Sequence, residues 1–265
     1  MGKREVYPNP PLRLVVAELR YPYAPRLGSS EVLQELTTLF RPTFPIPEPT
    51  GVQVVMSVGG GAQSSSAASA NRFLARDRSS SVTITQTNIV IETTDYGEYG
   101  RFRPMLETCL EALGRVRDGI VGVERVGLRY LNEIRVANVH EASHWAKYLA
   151  PNLVAPLQLV PGRRVALMQS VVQTEPIDKV ATVLRFGALR GQVVSAAGPL
   201  RVKPLPADEP FFLLDIDCAW SSGESFDEYG FEAALSICDR LHAPIDTLFE
   251  DAITDSLRAV FRRVE

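Results

Sequence analysis

The chain has 265 residues, of which 45% are hydrophobic and 22% charged, and its formal net charge is −3. This balance suits one large domain or two tightly joined halves around a buried core. It excludes a global field that would draw the chain to nucleic acid or an anionic membrane, and no apolar run approaches the roughly 20 residues of a membrane helix.

Residues 1–6 lack the apolar segment of a signal peptide. The three cysteines, Cys109, Cys218 and Cys238, fall on apolar faces of predicted elements. An odd, buried set implies free thiols, a reducing compartment and a cytoplasmic protein. Residues 8–11 are an extended lead-in. Residues 12–20 alternate as a strand, with Val15, Ala17 and Leu19 on one face and Leu14, Val16 and Glu18 on the other. Ser29 or Ser30 caps a helix over 31–40, whose inward face is Val32, Leu33, Leu36, Leu39 and Phe40. Four prolines make 41–49 an irregular connector, and a short strand follows at 52–58. Residues 59–71 are rich in Gly, Ser and Ala and read as a mobile loop. Their glycine run lacks the lysine and hydroxyl of a phosphate cradle.

Residues 82–91 read as a hairpin. A helix follows residues 95–100 and runs to about 116, because Phe102, Met105, Leu106, Cys109, Leu110, Leu113 and Val116 recur at three- and four-residue steps. Pro104 is placed in its first turn, and Gly119 and Gly122 follow its end. Residues 123–136 alternate as a strand. Val126, Leu128, Tyr130, Ile134 and Val136 point one way; Arg125, Gly127, Arg129, Glu133 and Arg135 point the other. Asn132 falls on the apolar side, where an unpaired amide costs roughly 1–3 kcal/mol. It is therefore expected to cap a turn or bridge backbone groups.

Arg72-Phe-Leu, Thr94-Asp-Tyr-Gly-Glu-Tyr-Gly-Arg-Phe102 and Arg125-Val-Gly-Leu-Arg-Tyr-Leu-Asn132 together resemble a sporadically distributed bacterial family of about this length with no established activity. Its hallmark is similar to R-x-G-L-R-Y-x-N, and the likeness runs from residues 8–11 to the last helix. The resemblance strengthens the fold expectation. Its patchy distribution implies genes in mobile or defence-related neighbourhoods.

Beyond residue 136, Asn138 and Glu141 have the spacing of an N-cap and its reciprocal partner, and predict a helix that continues through Trp145, Tyr148 and Leu149. Strands follow at 164–174, 180–189 and 211–220. Residues 191–210 hold four prolines and cross the surface, with Val193 to Ser195 extending a hairpin. The end is helical, and Pro244 is expected to kink it or to start a second helix. Glu98-Tyr-Gly-Arg-Phe102 and Glu228-Tyr-Gly-Phe231 each open a long helix after a strand, and Leu106 and Cys109 align with Leu235 and Cys238. The expected fold is α+β: antiparallel sheet with long packed helices, in two related sheet-plus-helix halves, 1–137 and 138–265, joined as one unit.

Several residues are candidates for chemistry. His140-Glu-Ala-Ser-His144 matches H-E-x-x-H, in which two imidazoles one helical turn apart bind zinc. Glu141 already has a capping role, however, and no third ligand follows at metalloprotease spacing. Asp215 and Asp217 share one face of a strand and could hold Mg²⁺ or do acid/base work. Pairing across strands with Arg185 or Arg129 is the plainer account. Arg125, Arg129 and Arg135 form a basic row that could grip phosphate, with Glu124 and Glu133 among them for ion pairing. Tyr96, Tyr99 and Phe102 read as a hydrophobic staple, and His242 as a helix-end cap. Gly-x-Ser-x-Gly and Cys-x-x-Cys are missing from the sequence. The binding candidates are thus Arg125, Arg129, Asn132, Asp215 and Asp217, and the metal candidates His140 and His144.

These residues predict a non-enzymatic binding or regulatory protein. It needs no cofactor and acts on a protein partner through a sheet surface or an inter-half groove. A homo-oligomer fits this reading, and the resemblance implies a bacterial defence or toxin-neutralising setting. The alternatives are a metal- or carboxylate-dependent enzyme and a small-molecule scaffold with a pocket between the halves.

Overall fold

The computed structural model describes residues 5–51, 56–58, 61–63, 69–116, 120–137, 139–195, 197–206, 209–223, 226, 228 and 230–263. Its strands are β1 (Leu12–Arg20), β2 (Ile46–Gly51), β3 (Met56–Val58), β4 (Gly61–Gln63), β5 (Ser69–Leu74), β6 (Ser80–Ile84), β7 (Asn88–Thr93), β8 (Arg125–Ile134), β9 (Ser170–Gln173), β10 (Val180–Arg190) and β11 (Pro210–Ser221). Its α-helices are α1 (Ser30–Phe40), α2 (Tyr99–Arg115), α3 (Pro151–Val154), α4 (Phe231–Ala252) and α5 (Asp255–Phe261). β3 and β4 form a separate ribbon. The other nine strands make one antiparallel sheet in the order β2-β5-β6-β7-β1-β8-β11-β10-β9. The fold is α+β, as expected.

One face of the sheet is apolar because the strands alternate. Val15, Ala17 and Leu19 of β1, Val126, Leu128 and Tyr130 of β8, and Leu214, Ile216 and Cys218 of β11 are all buried there. α2 and α4 lie over this face and against each other. They bury Phe102, Leu106, Cys109, Leu110 and Leu113 from one helix and Leu235, Cys238, Leu241 and Ile245 from the other. All three cysteines are buried free thiols. No described helix is long and apolar enough to cross a membrane.

The chain repeats one plan. β1 is followed by α1, a three-strand meander β5-β6-β7 and the long helix α2. β8 is followed by short helical turns, the meander β9-β10-β11 and the long helix α4. In the sheet the first unit reads β2-β5-β6-β7-β1 and the second β8-β11-β10-β9; apart from the additional edge strand β2 they mirror each other about the β1·β8 pairing. The second unit therefore begins at β8, ahead of a division at 137/138. The junction is continuous sheet, with Val16 opposite Arg129 and Ala17 opposite Leu128.

Several local expectations are corrected. Residues 46–51 form a strand despite Pro47 and Pro49, because β2 is an edge strand that pairs only with β5 and can lack donors. The strand expected at 52–58 appears only as Met56–Val58, and 52–55 lie outside the described residues. β5 takes over the end of the low-complexity stretch, of which 59–60 and 64–68 lie outside the described residues. Pro104 stands one turn further into α2 than expected, because the helix already begins at Tyr99. The segment around His140 to Leu149 is not an α-helix but a 3-10 turn over Ala142–Lys147, and Asn138 lies outside the described residues. Pro244 neither ends nor starts a helix; α4 continues through it. The break falls at Ile253 instead, which bridges to Leu149, while Thr254 N–H bonds the Tyr148 carbonyl. Residues 193–195 form no strand; Val193 N–H donates to the Glu133 carboxylate at 2.9 Å. β9 starts only at Ser170. Just before it, the Met168 carbonyl passes where a Cβ on Gly187 would stand, 1.9 Å away, so that crossing requires glycine.

Glu92 of β7 pairs across the sheet with Ser81 and Val16, and Ser81 Oγ donates to it at 3.1 Å. Burial holds its carboxyl above the ordinary range, against the lowering effects of Ser81 and Arg72. A raised folded value means the favourable, protonated form is complete at low pH and is lost as pH rises through that value. Glu92→Gln is expected to raise the urea midpoint at pH 7 and to lose this advantage near pH 4. An equal effect at both pH values would exclude the titration.

Candidate functional site

A cavity of about 300 Å³ opens where the N-terminal segment, the turn into α2, the middle of β8 and the second half of α4 meet. Each element delivers side chains for a local reason. Alternation in β8 sends Tyr130 and Asn132 to the helix side of the sheet. Gly97 adopts φ 66°, a turn conformation that places Tyr96 and Tyr99 on either side of the entry to α2. Helical spacing puts Asp239, His242 and Asp246 in a polar stripe on α4.

The hydroxyls and the imidazole form a chain. Tyr96 Oη lies 2.5 Å from Tyr130 Oη, Tyr130 Oη lies 3.1 Å from His242 Nδ1, and His242 Nε2 lies 3.1 Å from Asp246 Oδ2. In the neutral ring the carboxylate places the proton on Nε2. Nδ1 then accepts from Tyr130, whose oxygen in turn accepts from Tyr96. Tyr99 stacks on the imidazole with centroids 4.0 Å apart at 15°. Its hydroxyl donates to Asp239 at 2.8 Å, and Arg103 Nε donates to the same carboxylate at 2.9 Å. Burial, then the Asp239 bond, pushes the Tyr99 hydroxyl well up. Asn132 is 3% exposed, and its Nδ2 donates to the Leu214 carbonyl at 3.0 Å, the backbone bridge expected of it.

The N-terminal segment straps the remaining side. Tyr7 packs on Phe249 and Phe261, and its hydroxyl donates to Glu250 at 3.1 Å. Burial and the Glu250 charge push that hydroxyl up to about 12. Asn9 N–H bonds the Phe261 carbonyl, and Arg262 grips Glu5 through two 2.6 Å bonds.

The other expected binding residues lie on the opposite face of the sheet. The Arg125 guanidinium lies across Gly127, where a Cβ would stand 2.5 Å from it, and reaches Glu18 at 2.7 Å and Asp217 at 3.4 Å. Arg129 holds Asp215 in a two-pronged pair at 2.8 and 2.7 Å, and Arg185 adds a third contact at 3.4 Å. With Arg20 on Glu18 at 2.9 Å, four arginines thus share three carboxylates. Asp215 is 2% exposed. Burial pushes the Asp217 carboxyl up against the pull of Arg125 and Arg129. This arrangement can orient strands, since each of its carboxylates is held by arginine from its own or a neighbouring strand.

The metal candidates His140 and His144 are neighbours at the start of the 3-10 turn. His144 Nε2 meets Glu141 at 3.1 Å, and its Nδ1 accepts the His140 N–H at 3.3 Å. Among the described residues, no group of three His, Cys, Asp or Glu converges as metal ligands.

The cavity unites residues assigned other roles from sequence. Tyr96 and Tyr99 read as a staple, and His242 read as a helix-end cap although it stands mid-helix. One signal was present: Asp239, His242 and Asp246 interrupt the apolar stripe at three- and four-residue steps. No protein-family model matches the chain, and no curated protein is detectably similar to it.

Asp215→Asn is expected to cost about 2 kcal/mol, because Arg129 and Arg185 would stay partly buried with their shared counter-charge removed. Asp217→Asn is expected to cost less, because burial already disfavours that charge. Urea denaturation at pH 7 checks the order; equal losses would contradict it.

Proposed function

We propose that the chain is a non-catalytic small-molecule-binding protein whose ligand occupies the cavity between α2, α4, β8 and the N-terminal strap. The observation that carries this reading is a cavity of about 300 Å³ with a tyrosine–imidazole chain along its wall. That volume is at the small end of ligand pockets, and apolar walls with a few convergent polar groups are their usual make-up. No Ser, Thr, Cys or Lys is among the described lining residues. The Tyr130 and Asn132 positions of the R-x-G-L-R-Y-x-N pattern line this cavity, while its two arginines serve the opposite face. That division supports a site built by the pattern that the chain shares in resemblance.

A protein partner is the second reading, favoured by β9. This strand ends the sheet, pairs only with β10, and leaves Val171 and Val172 49% and 50% exposed. An exposed apolar edge can accept a further strand. Val171→Lys is expected to abolish recovery of a stoichiometric partner from the host if that reading holds.

Gly100 lies at the cavity, and a Cβ there would meet only the Glu98 carboxyl group, at 3.8 Å or beyond. Gly100→Trp is therefore expected to fold and to occupy the mouth. Native mass spectrometry of gently purified protein is expected to show a small added mass that this variant loses. Ligand at a hundred times its Kd is expected to stabilise the parent by about 2.7 kcal/mol and the variant not at all. Equal stabilisation of both would place the ligand elsewhere.

A further inference from the structure

Resting on that binding reading, we infer that the ligand is a compact organic cation, a protonated or quaternary amine on an apolar body. The charge of the wall decides this. The described lining residues include Glu5, Glu98 and Asp246 and no Lys or Arg. Arg262 answers Glu5, and His242 meets Asp246. Glu98 differs: among the described residues its carboxylate has no ion-pair or hydrogen-bond partner, although it stands at the N-cap of α2. A helix N-terminus on its own would favour an anion. Here the unpaired carboxylate occupies that position and reverses the preference.

The rest of the wall agrees with a cation. Tyr7, Tyr96, Tyr99 and Tyr130 line the cavity with Phe249. Electron-rich rings attract an ammonium group while accepting the apolar body it is attached to. The hydroxyl chain runs toward His242, so its hydrogen-bond donors are used within the wall, and an ammonium group needs none.

The test uses the full chain and pairs of probes matched in shape. Choline is set against 3,3-dimethylbutan-1-ol, and 2-phenylethylammonium against 2-phenylethanol and phenylacetate, with thermal unfolding and calorimetry as readouts. At least one ammonium probe is expected to bind at least about tenfold more tightly than its neutral counterpart. Gly100→Trp is expected to abolish that binding. Glu98→Gln is expected to weaken it about tenfold and to fold normally, because the Glu98 side chain makes no capping bond. Neutral or anionic probes that bind as tightly, in a manner Gly100→Trp abolishes, would overturn the cation assignment and leave the pocket standing. So would cation binding indifferent to Glu98→Gln. Silence of every probe, or binding that Gly100→Trp leaves intact, would overturn the pocket and the cation together.

Discussion

The antiparallel pairing of β1 with β8 is the constraint on which the rest depends. It joins the two repeated units into one sheet and buries both strands in the middle of nine. One face of each strand lies under the helices and the other is only partly exposed. The two sets of alternating side chains must each find partners. The helix side of β8 solves this with apolar residues until Tyr130 and Asn132, whose polar atoms then need partners. Asn132 takes a backbone carbonyl, and Tyr130 takes Tyr96 and His242.

The other side of β8 solves the same problem with charge. Arg125 and Arg129 cannot sit half-buried without carboxylates, and the neighbouring strands supply Glu18, Asp215 and Asp217 in register. Gly127 matters here for the absence of a side chain, because the Arg125 guanidinium occupies its place. A pattern of arginine, glycine, arginine, tyrosine and asparagine on one strand thereby serves two faces with different physics. Breaking a buried ion pair leaves an uncompensated charge, so such a network specifies register more than it adds stability.

The elements most legible in the sequence were those with an unbroken period. β1, the β6–β7 hairpin, α2, β8 and β11 carry alternation or helical spacing that tertiary context reinforces. β2 was hidden because proline argues against a strand, and only its place at the sheet edge permits it. The segment after Ile134 was misread because Asn138 and Glu141 imitate capping spacing, while the observed Glu141 bonds to Ser143 and His144. The cavity was the least legible. Tyr96, Tyr130 and His242 are 34 and 112 residues apart along the chain, and no local pattern reports that they meet. Residue types give the chemistry; the pairing of β8 with its neighbours gives the geometry.

The repeat also bears on why this position is open while its counterpart in the other unit is closed. Each unit begins its long helix over the central strands, so the plan offers a comparable position where the first turns of α4 lie near β1. There Ala234 and Cys238 pack against Ala17, Leu19 and Leu106, and only about 10 Å³ remains, too little for more than a single water. At the α2 position the wall is built of tyrosine, asparagine and histidine instead, and about 300 Å³ remains. Leucine and cysteine would close the space by apolar contact. Tyrosine hydroxyls hold their rings in a hydrogen-bonded frame, and that frame keeps a gap beside it. The N-terminal strap then walls the gap on its outer side through Tyr7, which Glu250 holds and Arg258 braces in turn. Of two comparable positions one is filled and the other framed open, and the proposed ligand site is the framed one.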